Sequence, residues 1–463
     1  MIHRNSGSIE LSVLAEMHLG SRVGQLRAAP VNLGPDAPRA FIVAFSADFD
    51  IDPYVEMFFF PEDTLKLAVI TTEGDILWRR DLGRGVVPGV WFCPVFPFDL
   101  DGDGCDEIWF VNNPNPHHPL GMSHYCLERV DSLTGHTTGQ WAWPNLAGSG
   151  QSLSHAFRNF IVGGHAQEDP ILVTAQGTYG DMHLQAWDSD MNPRWHTNIP
   201  ATAPGARGSH MTPITDLNND GSQELMWGER CIRLDTGTEV FCADQDNYRG
   251  HSDIVQPLVD RATGRAFIYT CRESDSGASP RAVLFDNTGQ RVWGQIEHGH
   301  IDMGWVAHIG DAGSPIAMAI RIGEKSCGPD GRFHASIDEF TFDAYCGAPH
   351  PLPYSVYRTI PVDLSGNGIH ELVRGVPSGN GEVIDHRGRV LGNIHAQVAL
   401  ASKFCDHPGE QMLAYYPDGT IRLWADRNAE DSPLALTRYS NPLYQANQRV
   451  FANGYNWTVL GGL

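Results

Sequence analysis

The segment Asp99-Leu-Asp101-Gly-Asp103-Gly-Cys-Asp-Glu107, running into the apolar Ile108-Trp109-Phe110, decides how this chain is read. Carboxylates stand at alternate positions around glycines that let the backbone bend, and a strand opens straight after the final Glu. The frame returns as Asp216-Leu-Asn218-Asn-Asp220-Gly-Ser-Gln-Glu224. With two charges lost, it returns again as Asp363-Leu-Ser365-Gly-Asn367-Gly-Ile-His-Glu371. Oxygen ligands so spaced converge on one point, as hard Ca²⁺ requires. Three copies in one chain imply a repeated unit that carries an acidic hairpin in some of its copies.

Between these loops a second signal recurs, a glycine turn followed by an aromatic or aliphatic residue. Its copies are EGDILW (73–78), TTGQW (137–141), DMNPRW (190–195), DTGTEVF (235–241), NTGQRVW (287–293), HRGRVL (386–391) and PDGTIRLW (417–424). An irregular unit without such a turn spans 300–350. The spacing predicts about eight units, with seven an alternative, of roughly 50–60 residues each. The expected fold is all-β: one β-propeller over 1–463, built of four-stranded antiparallel blades. Gly or Asn at the turn supplies positive φ, and the Trp or Phe after it can pack between neighbouring blades. The ring is expected to close through N- and C-terminal strands, with SIELSVLAEM (8–17) and RVFANGYNWTVLGGL (449–463) as candidates. A β-solenoid or two separate sandwiches are the competing architectures.

Composition agrees with many short strands: 49 Gly, 30 Pro, 10% aromatics in 463 residues, and no long apolar helical stretch. The net charge of −23 makes nucleic acid an unsuitable partner, because phosphate binding needs a basic footprint. No segment offers the run of about 18 apolar residues that crosses a bilayer, so no membrane partner is expected. The N-terminal MIHRNSGSIELSVLAEMHLG lacks a charged stretch followed by an apolar core, and the nine cysteines are scattered. Both features point to a reducing, cytoplasmic setting unless a leader has been trimmed. Oligomeric state is not legible. There is no G-x-S-x-G elbow, Walker motif or Rossmann fingerprint.

The acidic loops, the repeat and the tail NPLYQANQRVFANGYN (441–456) resemble the FG-GAP-type calcium propellers, which include integrin heads. The likeness is strongest to the family-11 rhamnogalacturonan lyases, although the chain is short for that family, and looser to ulvan lyases and oligogalacturonate lyases. The resemblance implies an eight-bladed enzyme with structural Ca²⁺ in its blade loops. It further implies cleavage of an acidic, uronate-containing polysaccharide or oligosaccharide by β-elimination. The Ca²⁺ ligands would be Asp99, Asp101, Asp103 and Glu107, then Asp216, Asn218, Asp220 and Glu224, then Asp363, Asn367 and Glu371.

Aligning the units on the first Asp of each loop places the residues just upstream on the innermost strand. Several carry histidine: His155 in SHAFRNF, His210 in RGSHMTP, His251 in RGHSDIV, His298 and His300 in HGHIDMGW, and His395 in IHAQVAL. PYSVYRT offers Tyr354 and Tyr357 instead. Equivalent positions ring the channel, so these side chains should converge at one mouth. The insertion NNPNPHHPLGMSH (112–124), with His117, His118 and His124, is a long loop of the kind that borders sites.

β-Elimination needs the uronate carboxylate neutralised, a base to take the C5 proton and an acid to protonate the leaving oxygen. Arg207 and Arg249 suit the first role, His210 or His251 the second, and Tyr179 or His155 the third. Arg249, His300, His118, Tyr357 and His395 are the candidate substrate contacts. The same imidazoles could instead hold Mn²⁺, Zn²⁺ or Fe²⁺, with Asp302 sharing the face of His300. The competing readings are a different metal-dependent carbohydrate enzyme and a non-catalytic carbohydrate- or protein-binding propeller.

Overall fold

The computed structural model describes residues 9–55, 58–143, 152–275, 277–323 and 336–463, with backbone strand segments at 326–327 and 333–334. Among the described residues eight antiparallel blade sheets follow one another along the chain, each winding outward from an inner strand, and a ninth, two-stranded sheet pairs Ser326–Cys327 with Phe333–His334. Blades one to five span 25–81, 95–142, 159–199, 214–242 and 252–295; blades six and seven span 300–343 and 360–393. Blade eight joins 397–426 to the N-terminal strand Leu11–His18. Seven blades have four strands, and the irregular sixth has three in its sheet.

Burial explains the strand signals. Second strands such as Ala40–Ser46 and Glu107–Asn112 are covered on both faces. Outer strands such as Thr137–Ala142 alternate or lie open to solvent. Three of the turn tryptophans lock their blade to the next. Trp78 donates Nε1–H to Ser132 O at 2.8 Å, Trp195 to Leu234 O at 2.7 Å and Trp293 to Ala344 O at 2.9 Å. On each indole rests a turn glycine of the next blade: a Cβ on Gly135 would lie 2.6 Å from the Trp78 ring, and on Gly237 2.5 Å from that of Trp195. Both glycines have φ of +69°, so close approach and backbone conformation together exclude a side chain there. One expected turn shifts. TTGQW lies inside the outer strand of blade two, and the turn itself is the preceding segment with Gly135.

Closure follows the expected route on the N-terminal side. Leu11–His18 pairs antiparallel with Thr420–Asp426 in the register Leu11↔Asp426 to His18↔Thr420. The tail differs from expectation, because 449–463 is not a strand. Two short helices, Pro433–Tyr439 and Pro442–Gln448, start at Ser432 and Asn441, whose side chains accept from Ala435 N–H and Leu443 N–H. A 3₁₀ turn (Arg449–Ala452) then leads the chain among the inner strands. Arg27 of blade one donates to Ala452 O, Asn453 donates to Ile161 O of blade three, and Asn447 brackets Ile214 of blade four from both sides. Val259 N–H of blade five donates to Gly462 O, and Thr458 donates to Gly304 O of blade six. Arg438 holds Leu460 O and Leu463 O while pairing with the buried Glu410. The tail is therefore a plug in the channel. At Gly461 a Cβ would lie 2.2 Å from Val306 O, and at Gly462 2.4 Å from Pro257 O, distances that only glycine permits.

Candidate active site

In an antiparallel blade the turns from inner to second strand lie at one end, while second-to-third turns and blade-to-blade links lie at the other. The acidic loops are of the first kind. The links and second-to-third turns instead bring together the side chains of the opposite mouth.

His210, just before the inner strand of blade four, is fixed through its backbone: its N–H donates to Ser252 O, and its carbonyl accepts from Tyr455 N–H of the plug. Its Nε2 lies 3.0 Å from Tyr179 Oη, and its Nδ1 lies 3.2 Å from Asp253 Oδ1. In blade five the inner strand bulges between Ser252 and Ile254, and the extra residue is Asp253. Glu273, leaving the second strand opposite His251, donates its N–H to His251 O, and its carboxylate touches His251 Nε2. Glu273 Oε1 also lies 2.7 Å from His300 Nε2, which is 3.3 Å from Asp302 Oδ1. His251 Nδ1 is 2.8 Å from Ser274 Oγ, an arrangement that leaves Nε2 facing the carboxylates.

A cationic wall stands beside this nest. Arg158 pairs bidentately with Asp52 at 2.8 and 3.1 Å, beneath 3% exposure of its side chain. Its guanidinium lies 4.8 Å from the Trp91 ring centroid and 5.2 Å from that of Tyr179. Trp91 in turn donates to Asp52 at 3.2 Å. The floor is Tyr455, whose hydroxyl donates to Asp50 at 3.0 Å and whose ring meets His210 edge-on. His155, on the short helix Leu153–Ala156, sets its ring 5.5 Å from that of Tyr179.

Burial, with His251 and Arg158 nearby, holds the His210 imidazole well below its ordinary pKa and therefore neutral. Burial also lowers His155, helped by Arg158, and it raises Tyr179, which stays a protonated phenol. Asp253 is pushed far up by burial and by its neighbours Glu273 and Asp302. Burial opposes ionisation of Glu273, yet His251 and His300 hold its carboxyl well below the usual range. His300 is lowered by burial, but Asp302 and Glu273 outweigh that effect and raise it to about 9.

One ligand atom each from His210, His251, Asp253 and Glu273 lies within 4.8 Å of the others. Opposite ligands of one divalent ion are about 4–5 Å apart, so the set has the size of a metal site. His251 Nε2 and Asp253 Oδ1 are buried and face each other and the His210 and Glu273 side chains of the same cluster, as ligand atoms aimed at a shared centre would.

Of the residues singled out in the sequence, His155, Tyr179, His210, His251, His300 and Asp302 come together. The others stand elsewhere. Arg207 is spent on the carbonyls of Ala201 and Ala203, and Arg249 is exposed, with its N–H on Asp275. His118 stacks on His124 within the insertion, 5.9 Å between ring centroids. Tyr357 lies under Arg358, and His395 is exposed at the entry to blade eight. Arg158, Asp52, Asp253 and Glu273 are members that the sequence reading missed. Arg158 stands three residues past His155 in the same SHAFRNF string, and Asp253 is two past His251, on the same strand face.

In the acidic hairpins the final Glu accepts from the second loop residue throughout: Glu107 from Leu100 N–H, Glu224 from Leu217 N–H and Glu371 from Leu364 N–H. Asp99, Asp101 and Glu107 offer ligand atoms within 4.8 Å of one another. In the second loop Arg233 stands 3.6 Å from Asp220 Oδ2. In the third, both Asp363 oxygens accept from the loop backbone, and Arg261 donates to Gly368 O.

No protein-family model matches the chain. Two curated relatives from Bacillus subtilis (strain 168) align over 269 residues, 51% of this chain. They are rhamnogalacturonan exolyase YesX, at 25% identity over 43% of its length, and rhamnogalacturonan endolyase YesW, at 22% over 42%. The match thus spans less than half of each relative. Among solved structures, the Bacillus licheniformis rhamnogalacturonan lyase PL11 superposes with a TM-score of 0.75 at 16% identity, covering 97% of this chain and 81% of that one. Exotype rhamnogalacturonan lyase YesX superposes with 0.69 at 17%, covering 96% and 80%. The chain is an eight-bladed β-propeller that resembles rhamnogalacturonan lyases in fold and, over half its length, in sequence.

Proposed function

We propose that the protein is a polysaccharide lyase that cleaves a rhamnogalacturonan-type uronate polymer by β-elimination. The observation that carries this reading is the nest of His210, His251, Asp253 and Glu273 at the channel mouth, walled by Arg158 and Tyr179. The likeness to the two rhamnogalacturonan lyases supports the substrate class. When bound in the nest, a divalent cation would supply the positive charge that neutralises the uronate carboxylate and acidifies the C5 proton.

The chain's own residues divide the remaining work. His210 is neutral and His251 is turned toward the carboxylates, which suits ligands better than the base role the sequence suggested. His155 is half-exposed and neutral, and takes the C5 proton as base. Tyr179 keeps its proton and delivers it to the leaving oxygen, with its hydroxyl held by His210. Arg158, locked by Asp52, orients the polymer's carboxylate in place of Arg207 and Arg249. We assign Ca²⁺ to the hairpin of Asp99, Asp101 and Glu107 as a structural pin, remote from the chemistry.

Incubation with rhamnogalacturonan should generate the ultraviolet absorbance of an unsaturated uronate, and chelator should abolish it. No absorbance on rhamnogalacturonan, polygalacturonate, ulvan or glucuronan, with divalent metals restored, would refute the lyase reading. A purely binding propeller would retain the polymer on an affinity gel without creating new chain ends.

A further inference from the structure

The nest does not end at Glu273. A second set, Asp253, Glu273, His300 and Asp302, also has ligand atoms within 4.8 Å of one another, and it shares two carboxylates with the first. Each set has the span of one ion. The sequence supplies them by repetition: Gly250-His251-Ser252-Asp253 opens the inner strand of blade five, and Gly299-His300-Ile301-Asp302 that of blade six. The same distortion accompanies both. Register slips between Ser252 and Ile254 and between Ile301 and Met303, so Asp253 and Asp302 are each the extra residue of a bulge. A bulge re-aims one side chain at the cost of local pairing. Two adjacent blades have thus turned a His-x-Asp unit toward the same point, and Glu273 lies between them.

We propose that this mouth holds two divalent transition-metal ions, bridged by Asp253 and Glu273. His210 and His251 complete the first site, and His300 and Asp302 the second. Bridged pairs sit about 3.5–4 Å apart, a separation two sets sharing two carboxylates allow. Mixed imidazole and carboxylate ligands suit Mn²⁺- or Zn²⁺-class ions better than Ca²⁺. Charge favours the pair. Three carboxylates with one divalent cation and a charged His300 sum to zero, so an incoming uronate would leave a net negative charge. Two cations leave one positive charge, which that uronate neutralises. Hydrogen bonding favours it as well: His300 Nε2 faces both Glu273 and Asp302, and an N–H there can serve only one acceptor well.

The pair deepens the lyase reading and rests on it for its purpose, but it is tested without activity. Metal-stripped protein is given Mn²⁺, and bound metal is counted alongside electron paramagnetic resonance. The wild type should show an exchange-coupled Mn²⁺ pair. Asp302→Asn and His300→Ala should each bind one equivalent fewer and show only isolated Mn²⁺, with folding confirmed by an unchanged circular dichroism spectrum. A wild-type signal of isolated Mn²⁺ only, or a count unchanged in both variants, would overturn the pair and leave a single ion with His300 as a charged hydrogen-bond partner. Absence of lyase activity in a protein showing the coupled signal would count against the substrate, not against the metals.

Discussion

Glu107 closes the first acidic hairpin at 9% exposure, with one carboxylate oxygen on Leu100 N–H. Burial, which outweighs that bond, pushes its pKa from 4.5 to about 8, with Asp101 adding to the rise. A folded-state pKa above the unfolded one makes a contribution to stability that is whole below the unfolded value. It is lost as pH rises through the folded one. The interval between 4.5 and about 8, at 1.36 kcal/mol per pK unit, places that loss on the order of 5 kcal/mol in cation-free protein. A Ca²⁺ ion bound by Asp99, Asp101 and Glu107 favours the ionised carboxylate and should offset it. With an unfolding entropy of about 2 cal/mol/K per residue, a chain of 463 residues shifts its Tm by roughly 1 °C per kcal/mol. The Tm gain on adding Ca²⁺ should therefore be small near pH ~5 and reach about 5 °C by pH ~9. Scanning calorimetry in Ca²⁺ and in chelator, on wild type and Glu107→Gln, reads it directly. The variant cannot ionise, so without Ca²⁺ it should be the more stable at alkaline pH and should lose this loop's share of the gain. Identical Ca²⁺ increments in both proteins at every pH would refute the argument.

Tyr179→Phe should lower kcat roughly 10²–10⁴-fold while leaving metal content unchanged, which steady-state rates and metal analysis resolve together. Arg158→Lys loses the bidentate grip on Asp52, and should raise KM for the polymer more than it lowers kcat. Arg438→Met strands the buried Glu410 as an unpaired carboxylate, and denaturant unfolding should show a loss of about 3–5 kcal/mol at neutral pH. Gly135→Ala, driven into the Trp78 ring at positive φ, should destabilise by roughly 1–3 kcal/mol with little effect on catalysis.

What could be read in the sequence was whatever is decided locally. The acidic hairpins and glycine turns depend on a few neighbouring residues, so their copies marked the blades, and the placement upstream of each inner strand gathered His155, His210, His251 and His300. What escaped depends on pairing across the fold. Glu273 faces His251 only because Ser252 lies opposite Arg272, a register no linear pattern announces. Arg249 sits two residues from His251 but is directed to solvent across Gly250, so proximity along the chain misled. The tail 449–463 was misread as strand because its apolar residues suit one, whereas its path is set by hydrogen bonds to the inner strands of distant blades.

The plug has a consequence for the order of assembly. Leu11–His18 must wait for Thr420–Asp426, and loop-closure entropy makes so distant a pairing late and slow. Tyr455, which supports both His210 and Asp50, comes later still along the chain. On a translating ribosome the walls of the mouth would be made well before its floor. The mouth would be completed in a single final step rather than blade by blade, so that a nascent, half-wound ring would lack the support that Tyr455 gives His210.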